Sequence, residues 1–155
     1  MAAAAVALAA ALGTTLTLRH TTSFVPANTR LPSLLVNAGP RGASRWQVRP
    51  AGILFTGDGS GRLVGAGGTE VAHPGHVTWR SWTETLALGS GLIWSTNNFS
   101  RTIAKVSATA RAFRPVDGHF TRLTLRSTYD GTTDVVTLRI QRDGHYWQYA
   151  PPAER

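Results

Sequence analysis

The chain has 155 residues, 42% hydrophobic and 15% charged, enough for one domain with its own core once a leader is subtracted. It contains no cysteine, so disulfides, thiolate nucleophiles and sulfur-ligated zinc are excluded. A formal charge of +8, carried by fifteen arginines and one lysine, favours an anionic partner such as a cell-wall polymer, polysaccharide, nucleic acid or phospholipid surface.

Residues 1–23 are expected to be a signal peptide or leader. "MAAAAVALAAALG" is an apolar run of signal-peptide length, and no acid occurs before Asp58. The run is too short and too rich in alanine for a membrane span, so no stable transmembrane span is expected in the mature chain. No Lys or Arg precedes Arg19, and an organelle transit peptide or a buried helix are the alternatives to export. Export implies a secreted or extracellular protein. Residues 24–45, broken by Pro26, Pro32 and Pro40, read as a linker, residues 46–150 as the folded domain and 151–155 as a tail.

From Trp46 onward no stretch shows helical apolar spacing, whereas turn signals recur. They are "TGDGSG" (56–61, with Asp58 and Gly59), "GAGG" (65–68), "PVDG" (115–118), "YDG" (129–131) and "RDG" (142–144). Asp-Gly suits tight hairpins because Asp tolerates a positive φ and Gly adopts one freely. In "FTRLTLRS" one face carries Phe120, Arg122, Thr124 and Arg126 and the other Thr121, Leu123 and Leu125. In "DVVTLRIQR" Val136, Leu138 and Ile140 point inward, while Val135, Thr137, Arg139 and Gln141 point outward. "HYWQY" closes the meander. The expected fold is all-β: a single antiparallel sandwich or small barrel of short strands and Asp-Gly hairpins.

The stretch "VTWRSWTETLALGSGLIWS" reads as a hairpin turning at Thr83-Glu84-Thr85. Pairing without irregularity sets Trp82 opposite Leu86, Ser81 opposite Ala87, Trp79 opposite Gly89 and Val77 opposite Gly91. Trp79 then covers the space left by Ala87, Gly89 and Gly91, as an aromatic ring covers a strand glycine. The same register puts Trp82 on the other face with Leu86 and Leu88. A sugar-stacking platform is the functional alternative for these tryptophans.

Together "RPAGILFTGDGSGRLVGAGG", "HVTWRSWTETLALGSGLIW" and "AFRPVDGHFTRLTLR" resemble an uncharacterised family of small secreted actinobacterial proteins. The shared pattern is a Gly-Asp turn (Asp58, Gly59), a W-x-x-W pair (Trp79, Trp82), small-x-G-x-G (Ala87, Gly89, Gly91) and F-T-R-L (Phe120 to Leu123). The resemblance spans about Arg49 to Arg126 and implies export and an all-β fold. Many relatives carry a cysteine pair where this chain has "NNFSRT", so that disulfide has no counterpart here. The family brings no established activity.

Four constellations bear on chemistry. "EVAHPGH" offers Glu70, His73 and His76 as metal ligands on a loop, which would suit a metal-dependent hydrolase; adventitious loop histidines are the plainer reading. "GDGSG" lacks the lysine of a phosphate loop and the spacing of a nucleophile elbow, and reads as a turn. His119 sits beside the Asp117-Gly118 turn, with no sequence signal to say which serine, if any, meets it. Arg122, Arg126 and Arg139 are expected on one sheet face, either as a grip for a polyanion or as ordinary polar cover. The sequence therefore suggests a secreted, non-catalytic β-domain with a binding or structural role and no cofactor. A carbohydrate- or polyanion-binding module is one alternative. Sequence-specific nucleic-acid recognition is not expected.

Overall fold

The computed structural model describes residues 30–36, 45–68, 73, 75–97, 101–141 and 144–150, with backbone alone at 96–97 and 101–104. Within them the fold is all-β, as the sequence suggests: a mainly antiparallel sheet curls into a half-barrel. No helix there is long and apolar enough to cross a membrane.

The strands are β1 (Leu34–Leu35), β2 (Trp46–Gln47), β3 (Ile53–Leu54), β4 (Gly61–Val64), β5 (Thr78–Trp82), β6 (Leu86–Asn97), β7 (Arg101–Val116), β8 (His119–Tyr129), β9 (Thr132–Ile140) and β10 (Trp147–Tyr149). The main sheet runs β10-β9-β8-β7-β6-β4-β3, with β5 also paired to β6. Long antiparallel pairings join β6 to β7, β7 to β8 and β8 to β9. Two of these hairpins close on the expected Asp-Gly turns, where Asp117 and Gly118 have φ of 50° and 76°, and Asp130 and Gly131 have 48° and 74°. These positive values at both central residues are what a two-residue hairpin demands. Asp143 lies outside the described residues.

Strand β7 shows why the sheet has one dry face. Ala108, Ala110 and Ala112 are buried, whereas Lys105, Ser107, Thr109 and Arg111 are exposed. The alanines join Ala87, Leu123, Leu125 and Leu138 on the inner face. Small side chains on β6 and β7 leave room above them, and Trp79, Trp82, Leu34, Leu35, Ile53, Phe55 and Trp147 belong to the same core.

The β5–β6 hairpin keeps the expected Trp79–Gly89 pair but not the expected register between it and the turn. Trp82 lies opposite Ala87 and Ser81 opposite Leu88, because an extra residue, Arg80, bulges out of β5 between Trp79 and Ser81. At the other end the expected register holds, with Thr78 opposite Ser90, and the pairing stops there, short of the expected Val77–Gly91 pair. One inserted residue reverses the side-chain alternation, so Trp82 shares the inner face with Trp79 instead of lying on the outer face with Leu86 and Leu88. The two rings meet edge to face at 4.7 Å and 84°, and Trp82 meets Phe120 likewise at 5.6 Å. A Cβ on Gly89 would lie 2.7 Å from the Trp79 ring, which therefore occupies the vacated space.

Gly91 has a different partner from the one expected. Strand β5 holds the edge of β6 as far as Ser90, and β4 takes it over from Leu92. At the junction a Cβ on Gly91 would collide with the Val64 carbonyl oxygen.

The linker expectation for 24–45 fails at residues 30–36. Leu34 and Leu35 are fully buried, β1 pairs with β2, and Ser33 bridges His119 in parallel. Three indole N–H groups fasten this and the neighbouring segment: Trp82 donates to Pro32 O at 2.8 Å, Trp147 to Leu35 O at 3.1 Å and Trp79 to Pro50 O at 2.8 Å. Phe120, which simple alternation groups with Arg122, is fully buried. Pro115 lies across from it, next to Arg114 with its positive φ of 53°, and the Phe120 N–H donates to Ser33 O.

Trp79→Ala is expected to cost about 3 kcal/mol of stability, as for a large core-facing aromatic. Gly91→Ala should cost about 1–3 kcal/mol, because β4 must move. Urea denaturation measures both; losses below about 0.5 kcal/mol, the range of ordinary surface changes, would contradict this packing.

Candidate polyanion-binding face

The outer face of the sheet is assembled by register. One row across the strands reads Thr78, Ser90, Thr109, Arg126 and Val135 on β5 to β9. The next reads Leu88, Arg111, Thr124 and Thr137, with the bulged Arg80 beside Leu88. A third reads Leu86, Phe113, Arg122, Arg139 and Gln148. The expected grouping of Arg122, Arg126 and Arg139 on one face therefore holds, and Arg122 and Arg139 are direct neighbours.

Their circumstances differ. Arg122 and Arg139 are half-buried. With the Gln148 amide turned so that its oxygen faces the guanidinium, it accepts from Arg139 Nε at 2.7 Å and Nη2 at 3.1 Å. Arg126 is exposed, and so are two arginines that the sequence reading missed, Arg80 and Arg111. Among the described residues none of these three carries an ion pair; Arg111 rests 4.7 Å from the centroid of the Phe113 ring. Arg111 could have been found from the alternation "KVSATARAF", whose even positions are Val106 and three alanines. So could Arg80, since alternation from the inward Trp79 already sets it outward beside Leu88; what depends on the bulge is the face of Ser81 and Trp82.

Two shallow depressions, of about 480 and 390 Å³, adjoin on this face and share Ser90, Thr109 and Arg126. Arg80, Arg111 and Thr124 line one of them, and Thr78, Ser107 and Thr128 the other. No carboxylate among the described residues lines either one. Asp58, Asp117 and Asp130 sit in turns and Glu84 in the β5–β6 loop, while Asp134 is paired with Ser127, in the rows of the inner face. Further along, Lys105 lies 4.4 Å from the centroid of the buried Trp94 ring, whose neighbour on β4 is Arg62.

The metal constellation is not assembled within the described residues. Glu70 lies outside them, His73 and His76 are exposed, and no group of three or more His, Cys, Asp or Glu is found among those described. The structure does bring a serine to His119: Ser33 Oγ and His119 Nδ1 are hydrogen-bonded at 2.6 Å, under a tilted Trp46 ring at 4.1 Å. Asp117 lines the same depression, yet among the described residues no carboxylate hydrogen-bonds the imidazole. Ser33 also pairs through its N–H with Gly118 O and through its carbonyl with the Phe120 N–H. This pair clasps β1 to β8.

"GDGSG" is a self-bonded turn. The Asp58 carboxylate accepts from the Ser60 N–H at 3.0 Å and from the Ser60 hydroxyl at 2.7 Å. These bonds, the backbone one foremost, hold its pKa below the ordinary 3.8. Asp58 is thus an ionised cap at neutral pH and no proton donor.

Comparison with protein-family models, with curated proteins and with solved structures returned no match.

Because the folded-state pKa of Asp58 is depressed, its contribution to stability is present above the unfolded value and is lost as pH falls through the folded one. Ser60→Ala leaves the N–H bond and removes the hydroxyl, so the Asp58 titration midpoint should rise part of the way toward 3.8. Carboxyl NMR reads it; a wild-type midpoint at or above 3.8 would contradict the bonded turn.

Proposed function

We propose that this chain is an exported, non-catalytic binding protein that holds an anionic polymer against the outer face of its sheet. The observation that supports it most is the placement of Arg80, Arg111 and Arg126 around adjoining depressions without a carboxylate among the lining residues. Register sets Arg126 opposite Thr109, two residues from Arg111, so their Cα atoms lie on a diagonal of about 7–8 Å. Side chains this close keep like charges together at some cost to the fold, and an anion lying between them relieves it. The hydroxyls around them add hydrogen-bonding capacity without bulk. Arg122 and Arg139 extend the positive field from half-buried positions and contribute less by direct contact. Export rests on the acid-free, alanine-rich start of the chain.

Duplex DNA serves as a test polyanion because its salt dependence is calibrated: each phosphate neutralised contributes about −0.9 to the slope of log K against log salt. The triple variant Arg80→Gln, Arg111→Gln, Arg126→Gln should flatten that slope by about two to three units. Stability should change by no more than about 0.5 kcal/mol per site, since all three side chains are exposed. An unchanged slope, or a wild type that binds no polyanion at low salt, would overturn the proposal.

A further inference from the structure

We infer that the polymer is a linear acidic polysaccharide lying across strands β5 to β8, with its hydroxyls on Thr78, Ser90 and Thr109 and its anionic groups on Arg80, Arg111 and Arg126. The inference rests on the reading of this face as a polyanion site and narrows the class of polymer.

Three observations narrow it. Thr78, Ser90 and Thr109 stand side by side on adjacent strands, all exposed, and none of their hydroxyls is hydrogen-bonded among the described residues. Strand spacing repeats them at about 4.8 Å, so a chain crossing the strands meets a donor and acceptor at each step. Elsewhere on the sheet threonines pair with each other, as Thr124 with Thr137 and Thr128 with Thr133, both at 3.2 Å. The hydroxyl row is therefore open to a ligand rich in hydroxyl groups.

Second, no aromatic side chain lines either depression. Phe113 lies beneath the Arg111 guanidinium and Trp94 is fully buried. Single-stranded nucleic acid is held largely by stacking of bases on exposed rings, and neither depression offers one. Neutral sugars lose the same stacking, so the charge on the glycan must supply what the rings do not.

Third, duplex DNA is read by a helix or ribbon that enters a groove. The surface here is instead a pair of shallow depressions on a sheet face, joined through Ser90, Thr109 and Arg126, with no element that projects to enter a groove.

The test uses the full chain, with oligogalacturonate as the acidic glycan and single-stranded DNA of equal charge, titrated at matched ionic strength. The glycan should bind more tightly than the DNA. The double variant Ser90→Ala, Thr109→Val removes two exposed hydroxyls with little change of shape, and should weaken glycan binding about tenfold while leaving DNA binding unchanged. Equal losses on both polymers, no loss on the glycan, or tighter binding to DNA would overturn the glycan assignment while leaving the polyanion site in place. Failure of the wild type to bind either polymer would overturn both.

Discussion

The contact of the Trp79 ring with Gly89 governs much of the rest of the molecule. A strand glycine leaves backbone bare, and a ring over it restores packing that no residue on β6 itself supplies. For that ring and the Trp82 ring to reach the same layer, β5 must carry one extra residue, and Arg80 is that residue. The bulge thus acts on both faces of the sheet. Inside, it brings Trp82 edge-on to Trp79 and to Phe120. Outside, it turns Ser81 opposite Leu88, next to the exposed Arg80.

The tryptophans also determine where the chain before β3 lies. A buried indole N–H without a partner is costly, and backbone carbonyls of Pro32, Leu35 and Pro50 provide the partners. In return these bonds hold the segment carrying Leu34 and Leu35 against the inner face of the sheet. The Ser33–His119 clasp closes the same segment onto β8. Leu34 and Leu35, inside a stretch that prolines mark as linker, are therefore part of the core.

Local rules made some of this legible in the sequence. The Asp117-Gly118 and Asp130-Gly131 turns follow from φ preferences of single residues, and the inward Leu123, Leu125 and Leu138 follow from alternation. The Trp79–Gly89 pair follows from a turn placed at the right residues. What lay beyond reach depends on register shifts or on long separations. Nothing in "TWRSW" announces a bulge, so alternation alone puts Trp82 on the outer face, whereas Arg80 faces outward with or without it. The bonds from Trp82 to Pro32 and from Trp147 to Leu35 join residues far apart in sequence, which periodicity does not report. On the candidate site, Arg126 was legible, and Arg122 and Arg139 were correctly placed on its face. Their half-burial was not, because it depends on the neighbouring rows.

The two faces of β6 and β7 divide the labour: alanine and glycine make room for the core, and serine, threonine and arginine face outward. The central claim is that this outward face is where a polyanion sits. Amide chemical-shift mapping during titration with oligogalacturonate tests it most directly. The account predicts the largest shifts at Ser90, Thr109, Arg111 and Arg126, in one contiguous patch across the strands. Shifts centred on Ser33, Trp46 and His119, or none at saturating ligand, would contradict it.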